Sequence, residues 1–202
     1  MREFVPQVLT GRHVRLEPLS PAHEPGLRAI DDASLYRFLP EYPQQFDAWF
    51  RAALASPDPL FFAAVARTRA EGRLAALRID TEHGVAEIGH ILWGPGLRRT
   101  AASTEALFLL VDHLFRLGAR RVEWKCDDRN EASRSAALRF GFTFEGVFRQ
   151  HRIVKGENRD TAWFSLLDHE WASRRSALDE WLDPCNFDAE GRQRRPLREC
   201  SG

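Results

Sequence analysis

Residues 94–110 read GPGLRRTAASTEALFLL: a turn of Gly94, Pro95 and Gly96, then Arg98 and Arg99, then the hydroxyls of Thr100, Ser103 and Thr104, then apolar residues at helical spacing. The start of a helix has unpaired backbone N–H groups and a partial positive charge. Such a stretch therefore caps a helix and also offers a seat to an anion. Its position in the fold decides between the two, and the flanking segments set that position.

Upstream, LTGRHVRLEPLS (residues 9–20) alternates Val14 and Leu16 with charged residues, the period of a half-buried strand, and Ser20 with Pro21 reads as a helix start. Phe46, Trp49, Phe50, Ala53 and Leu54 keep helical spacing until SPDP (residues 56–59) stops it. Residues 60–66, 74–79 and 85–93 read as strands, the last two joined by a turn over 80–84. Downstream, Leu107, Leu110, Val111 and Leu114 form one apolar stripe closed by Gly118. A strand over 121–126 follows, then a helix over 131–140 with Asn130 as its N-cap and Gly141 past its end. Residues 142–154 and 161–167 form a hairpin around KGEN with Gly156 in the turn, and Asp168 caps a last helix carrying Trp171, Leu178 and Trp181.

Antiparallel hairpins early and alternating strands and helices late predict an α/β (α+β) fold: a mixed, mostly antiparallel sheet with helices on both faces. The quoted loop then lies at the C-terminal end of strand 85–93, where open sheets bind ligands. One domain over 1–183 is expected, with its core at 9–168 plus the terminal helix. Residues 184–202 are polar and without period, and read as a tail.

Composition narrows the partners. Lys plus Arg and Asp plus Glu number 29 each in 202 residues, so no overall field draws nucleic acid or an anionic membrane. No apolar run approaches the roughly 20 residues of a membrane helix, and residues 1–14 lack a signal-peptide core, so a cytoplasmic protein is expected. Cys126, Cys185 and Cys200 are odd in number and widely spaced, which suits reduced thiols and no metal site. Trp124 and Trp163 read as core, and Cys126 as a buried small hydrophobe.

EIGHILWGP (87–95), TEAL (104–107), VEWKCDDRNEASRSAALRFGF (122–142) and FEGVFRQHRIVKGENRDTAWFSLL (144–167), in that order, resemble the GCN5-related N-acetyltransferases (GNAT), specifically the RimJ/RimL-like branch that acetylates ribosomal-protein N termini. The resemblance spans roughly residues 9–168 and implies a splayed sheet with acetyl-CoA lying in the split. It implies that Ile91, Leu92 and Trp93 pair their backbone with the pantetheine and that the loop over Arg98, Arg99, Thr100, Ala101 and Ala102 binds the pyrophosphate. It also assigns cofactor roles to Asn130, Ser133 and Arg139. The family loop is usually glycine-rich, whereas residues 97–102 here match it only at Ala102. The arginines and Thr100 offer side-chain hydrogen bonds in place of close backbone approach.

Acetyl transfer to an amine needs a base for nitrogen and a donor for the departing sulfur. Ser133, in the first turn of its helix, matches the family serine that serves the sulfur. In a characterised branch a carboxylate base lies on the late hairpin, where this chain has Arg152, and a cation cannot take a proton. His90 and Glu87 are the catalytic candidates instead, His90 ranked first, with His151 and Asp160 behind them. Strand alternation puts Glu87 and His90 on opposite faces unless a bulge intervenes. The expected activity is acetyl-CoA-dependent transfer to a primary amine, a protein N terminus or a small molecule, by direct attack. The alternative is a coenzyme-A-binding or regulatory protein of the same fold. No metal, nucleic acid or membrane partner is expected, a homodimer is open, and acceptor choice belongs to the loop over 35–45 and the late hairpin.

Overall fold

The computed structural model describes residues 1–200, arranged around one eight-stranded sheet. The strands are β1 (Leu9–Thr10), β2 (Arg15–Pro18), β3 (Leu60–Ala66), β4 (Arg69–Asp80), β5 (Val85–Trp93), β6 (Arg121–Asp127), β7 (Thr143–Val154) and β8 (Glu157–Leu167). The helices are α1 (Glu24–Ala29), α2 (Phe46–Leu54), α3 (Ala101–Arg116), α4 (Glu131–Phe140) and α5 (Asp168–Trp181). Strand order is β1-β2-β3-β4-β5-β6-β8-β7, antiparallel throughout except where β5 meets β6. The expected mixed, mostly antiparallel sheet is the one observed.

Alternating residues of β3 explain the layers. Phe62 and Ala64 join the main core with Leu110, Val111 and Leu114 of α3, while Ala63 and Val65 pack on the other face with Leu27 of α1 and Phe46 and Phe50 of α2. Period two in the strand thus meets the apolar stripes of helices on both sides.

The expected single strand over 9–20 is two short strands, because the chain reverses at Gly11. The Glu105 carboxylate of α3 accepts the backbone N–H groups of Arg12, His13 and Val14 at 2.8, 2.6 and 3.0 Å. A Cβ on Gly11 would lie 2.4 Å from that carboxylate, so only glycine fits. The helix expected after Ser20 is one 3-10 turn, Pro21–His23, followed by α1. Of the segment read as a tail, residues 184–200 fold back over the body, and 201 and 202 lie outside the described residues. Trp181 donates to Gln193 Oε1 at 2.9 Å, Phe187 meets the Trp181 ring edge-on, and Leu197 and Cys200 are buried. Its few apolar residues sit too far apart to produce a period, yet each finds a place on the core.

Two irregularities shape the middle of the sheet. β5 and β6 pair over only four positions, Val85↔Arg121 to Ile88↔Trp124, and both strands then continue unpaired with each other. Opposite, β4 and β5 pair at Ala75↔Gly89 and again at Arg73↔Leu92, so two residues of β5 face one of β4. This is a bulge, and His90 within it has φ +51°. The half-sheets β1–β5 and β6–β8 are also tied by helices: Trp171 of α5 stacks on Phe115 of α3 at 5.2 Å, and Asp112 of α3 accepts from Trp171 Nε1 and Arg175 Nε at 3.3 and 2.9 Å.

Candidate active site

The gap between β5 and β6 opens into a cavity of about 610 Å³. The residues from Glu87 to Trp93 form one wall, Trp124 to Asp127 another, and Asn130, Ser133 and Ala136 of α4 a third. Leu107 of α3, residues 34, 35 and 37–40, and Arg152 and Arg159 of the late hairpin also line it.

The loop leading to α3 is fixed from beneath. Gly94 N–H donates to Glu71 O at 2.9 Å, a Cβ there would lie 2.6 Å from Ile30, and Leu97 is fully buried. Thr100 is the N-cap, its Oγ1 accepting from Ser103 N–H at 3.3 Å. The N–H groups of Arg99, Ala101 and Ala102 meet no acceptor among the described residues, as expected of a helix start. Arg98 lines the cavity and donates to Trp93 O at 3.2 Å.

α4 begins as its sequence predicts: Asn130 Oδ1 accepts from Ser133 N–H at 3.1 Å, and Gly141 closes the helix at φ +92°. Trp124, expected as core, is buried against Phe142 and also donates its indole N–H to Ser133 Oγ at 3.0 Å. That bond occupies a lone pair of the hydroxyl and does not use its proton. Cys126 is buried nearby, and burial pushes its thiol pKa up, away from nucleophilic use.

The bulge brings Glu87 and His90 to the same cavity, against simple alternation. Glu87 is buried between Lys125, 3.0 Å away, and Arg78. Burial raises its pKa against the pull of both cations, and burial likewise lowers that of Lys125. His90 packs edge-on against Phe61 and places Nδ1 3.1 Å from Glu41 Oε1. Glu41 lies 3.7 Å from the Arg73 guanidinium, itself buried and stacked on Trp49 at 3.8 Å. Burial works to raise the Glu41 pKa, but the His90 hydrogen bond and the Arg73 charge outweigh it and bring it down to about 2. In the tautomer that donates from Nδ1 to Glu41, Nε2 of His90 is an acceptor.

Glu87, His90, Ile91, Leu92, Trp93, Arg98, Asn130 and Ser133 therefore share one cavity. Arg99, Thr100, Ala101 and Ala102 frame the start of α3 beside it without lining it. Arg139 stands apart: it stacks over Trp181 at 4.8 Å and donates to Thr104 Oγ1 at 3.2 Å. Glu41, Arg73 and the Trp124 indole carried no local sequence signal, since their partners are 49, 32 and 9 residues away. Among the described residues, no three His, Cys, Asp or Glu side chains gather as a metal site, and no helix is long and apolar enough to cross a membrane.

A family profile described as Acetyltransferase (GNAT) domain matches residues 13–143. A GCN5-related N-acetyltransferase from Brucella melitensis superposes with a TM-score of 0.94 at 46% identity, over 96% of this chain and 94% of that one. A probable GNAT-family acetyltransferase from Chromobacterium violaceum gives 0.79 at 41%, over 85% and 91%. A Bacillus licheniformis protein named uncharacterized N-acetyltransferase p20 is 36% identical over 99 residues, 46% of this chain and 53% of that protein; the chain spans about half the length of this curated relative. The split sheet, the helix starts that flank it and these likenesses agree, and the chain belongs to the GNAT family of N-acetyltransferases.

Proposed function

We propose that the protein is a cytoplasmic enzyme that transfers acetyl from acetyl-CoA to a primary amine, a protein N terminus or a small molecule, by direct attack within a ternary complex. The observation that carries this is the meeting of three features at one cavity: the end of β5 that β6 leaves unpaired, Arg98 just before the start of α3, and Ser133 beneath the Trp124 indole. When bound, acetyl-CoA supplies an acetyl group activated as a thioester.

The residues present fit that co-substrate. The backbone of Ile91 to Trp93 has no β6 partner and suits a chain of amide groups, while Leu107 and Ala136 suit its methylenes. Arg98 and the N–H groups of Arg99, Ala101 and Ala102 suit phosphate oxygens. Thr100 and Asn130 hold the two helix starts in shape through their caps.

His90, oriented by Glu41, accepts the proton that nitrogen gives up as the N–C bond forms. Ser133, polarised by the Trp124 indole, donates its hydrogen bond to sulfur as the C–S bond breaks. Sulfur leaves as the thiolate held by that hydrogen bond, and the proton taken up by His90 passes to solvent or to the released thiolate, so atoms and charge balance. Glu87, held by two cations, is the lesser candidate for the base. Thiol release from acetyl-CoA over a panel of peptides and amines tests the reading. Saturable coenzyme binding without thiol release for any acceptor would favour the binding or regulatory alternative.

A further inference from the structure

Arg152 of β7 and Arg159 of β8 are register partners across their hairpin. Two like charges directly opposite each other work against a sheet. Neither has a carboxylate partner among the described residues, because the nearby Asp127 and Glu157 both bind Arg129, at 3.0 and 3.3 Å. Arg159 is half-buried, and its Nε is shielded from solvent without a hydrogen-bond partner. Burial, with Arg152 adding to it against the pull of Asp127, lowers the pKa of this guanidinium. A desolvated cation in this state is costly unless an anion meets it.

Both arginines line the cavity, and a second hollow of about 250 Å³ adjoins it, lined by Arg37, Lys155 and Arg159 and by Arg129 with its two carboxylate partners, Asp127 and Glu157. Lys155 Nζ donates to Tyr36 O at 2.6 Å and sits over the Tyr42 ring, so it too lacks a carboxylate. None of the residues lining this hollow comes from β5 or α3, where the coenzyme phosphates are expected.

We propose that the acceptor amine carries an anionic group, a carboxylate or a phosphate, and that Arg152 and Arg159, with Arg37 and Lys155 at the rim, hold it while the amine faces the gap between β5 and β6. This deepens the acetyltransferase reading and rests on it. The anion supplies the missing counter-charge, and its distance from the nitrogen becomes the measure of a good acceptor.

Matched acceptors test this by thiol release: β-alanine against β-alaninamide, O-phosphoethanolamine against ethanolamine, and a Ser-Asp against a Ser-Asn dipeptide amide, compared at equal concentrations of neutral amine. The anionic member of at least one pair should have a kcat/KM about tenfold higher, and Arg152→Gln or Arg159→Gln should bring that ratio toward one. The pair that responds identifies the source of the anion. Ratios at or below one in every pair overturn the proposal. If no amine gives thiol release, the acetyltransfer reading fails for these acceptors, and calorimetry with O-phosphoethanolamine on the coenzyme A complex decides separately. Salt-sensitive binding that Arg152→Gln weakens supports the anion site; no binding, or equal affinity in parent and variant, overturns it. Arg152 is exposed, so its variant decides the matter even where Arg159→Gln does not fold.

Discussion

The two walls of the cleft treat charge in opposite ways. On the β5 side the buried charges lie beside charges of opposite sign or an imidazole: Glu87 between Arg78 and Lys125, and Glu41 between Arg73 and His90. On the β7–β8 side Arg152 and Arg159 face each other with none. Burying an ion is tolerable only when its field is met, so a paired charge serves the protein and an unpaired one awaits something else. The first wall sets protonation states and geometry; the second selects what enters.

Breaking the paired wall should cost most. Glu41 has its pKa depressed from 4.5 to about 2, so its stabilising effect is complete above about pH 4.5 and is lost as pH falls from there through about 2. The shift corresponds to about 3 kcal/mol. Urea unfolding followed against pH should show that loss in the parent and a flatter profile in Glu41→Gln; parallel profiles would remove the pairing as a stabilising element.

His90→Gln comes next, with a fall of about 100-fold in kcat, while Glu87→Gln should lower it far less. Equal falls in the two variants would move the base to Glu87, and unchanged kcat in His90→Gln would mean that amines arrive already neutral and that positioning supplies most of the rate.

Ser133→Ala should lower kcat about tenfold, about the 1.4 kcal/mol of one hydrogen bond formed as charge develops, with coenzyme affinity nearly unchanged. Trp124→Phe should reproduce a fraction of that. Unchanged turnover in Ser133→Ala would retire the donor role. Smaller again is Arg98→Ala, which should weaken coenzyme A binding at most about fivefold, less at high salt. Arg99→Ala, away from the cavity wall, should do less still, and calorimetry separates the two. Equal effects would return the loop to a simple electrostatic field.

What was legible in the sequence was local. The cap at Asn130, the Gly141 stop and the bounds of β3, β5 and α4 all follow from residues within one turn or one strand. The long-range partners were not legible. Nothing near Glu41 announces Arg73 or His90, and nothing near Trp124 announces that its indole meets a serine on the next helix. The bulge at His90 was hidden for another reason: a non-glycine residue at positive φ breaks the alternation on which strand faces are assigned. Arg139 drew its expected role from resemblance alone, and nothing near it announces its stacking on Trp181 of α5, three elements later. Residues 184–200 fold back on anchors too sparse to form a pattern.

The four-position junction between β5 and β6 has a mechanical meaning. A sheet that is nearly unzipped at its centre relies on a bearing behind it, and here that bearing is the stack of Trp171 on Phe115 with Asp112 beneath the indole. Force applied by anything wedged into the front of the molecule is carried across to this aromatic contact at its back. Loosening the contact should therefore be felt as altered hydrogen exchange at the far end of β5, in residues the tryptophan never touches.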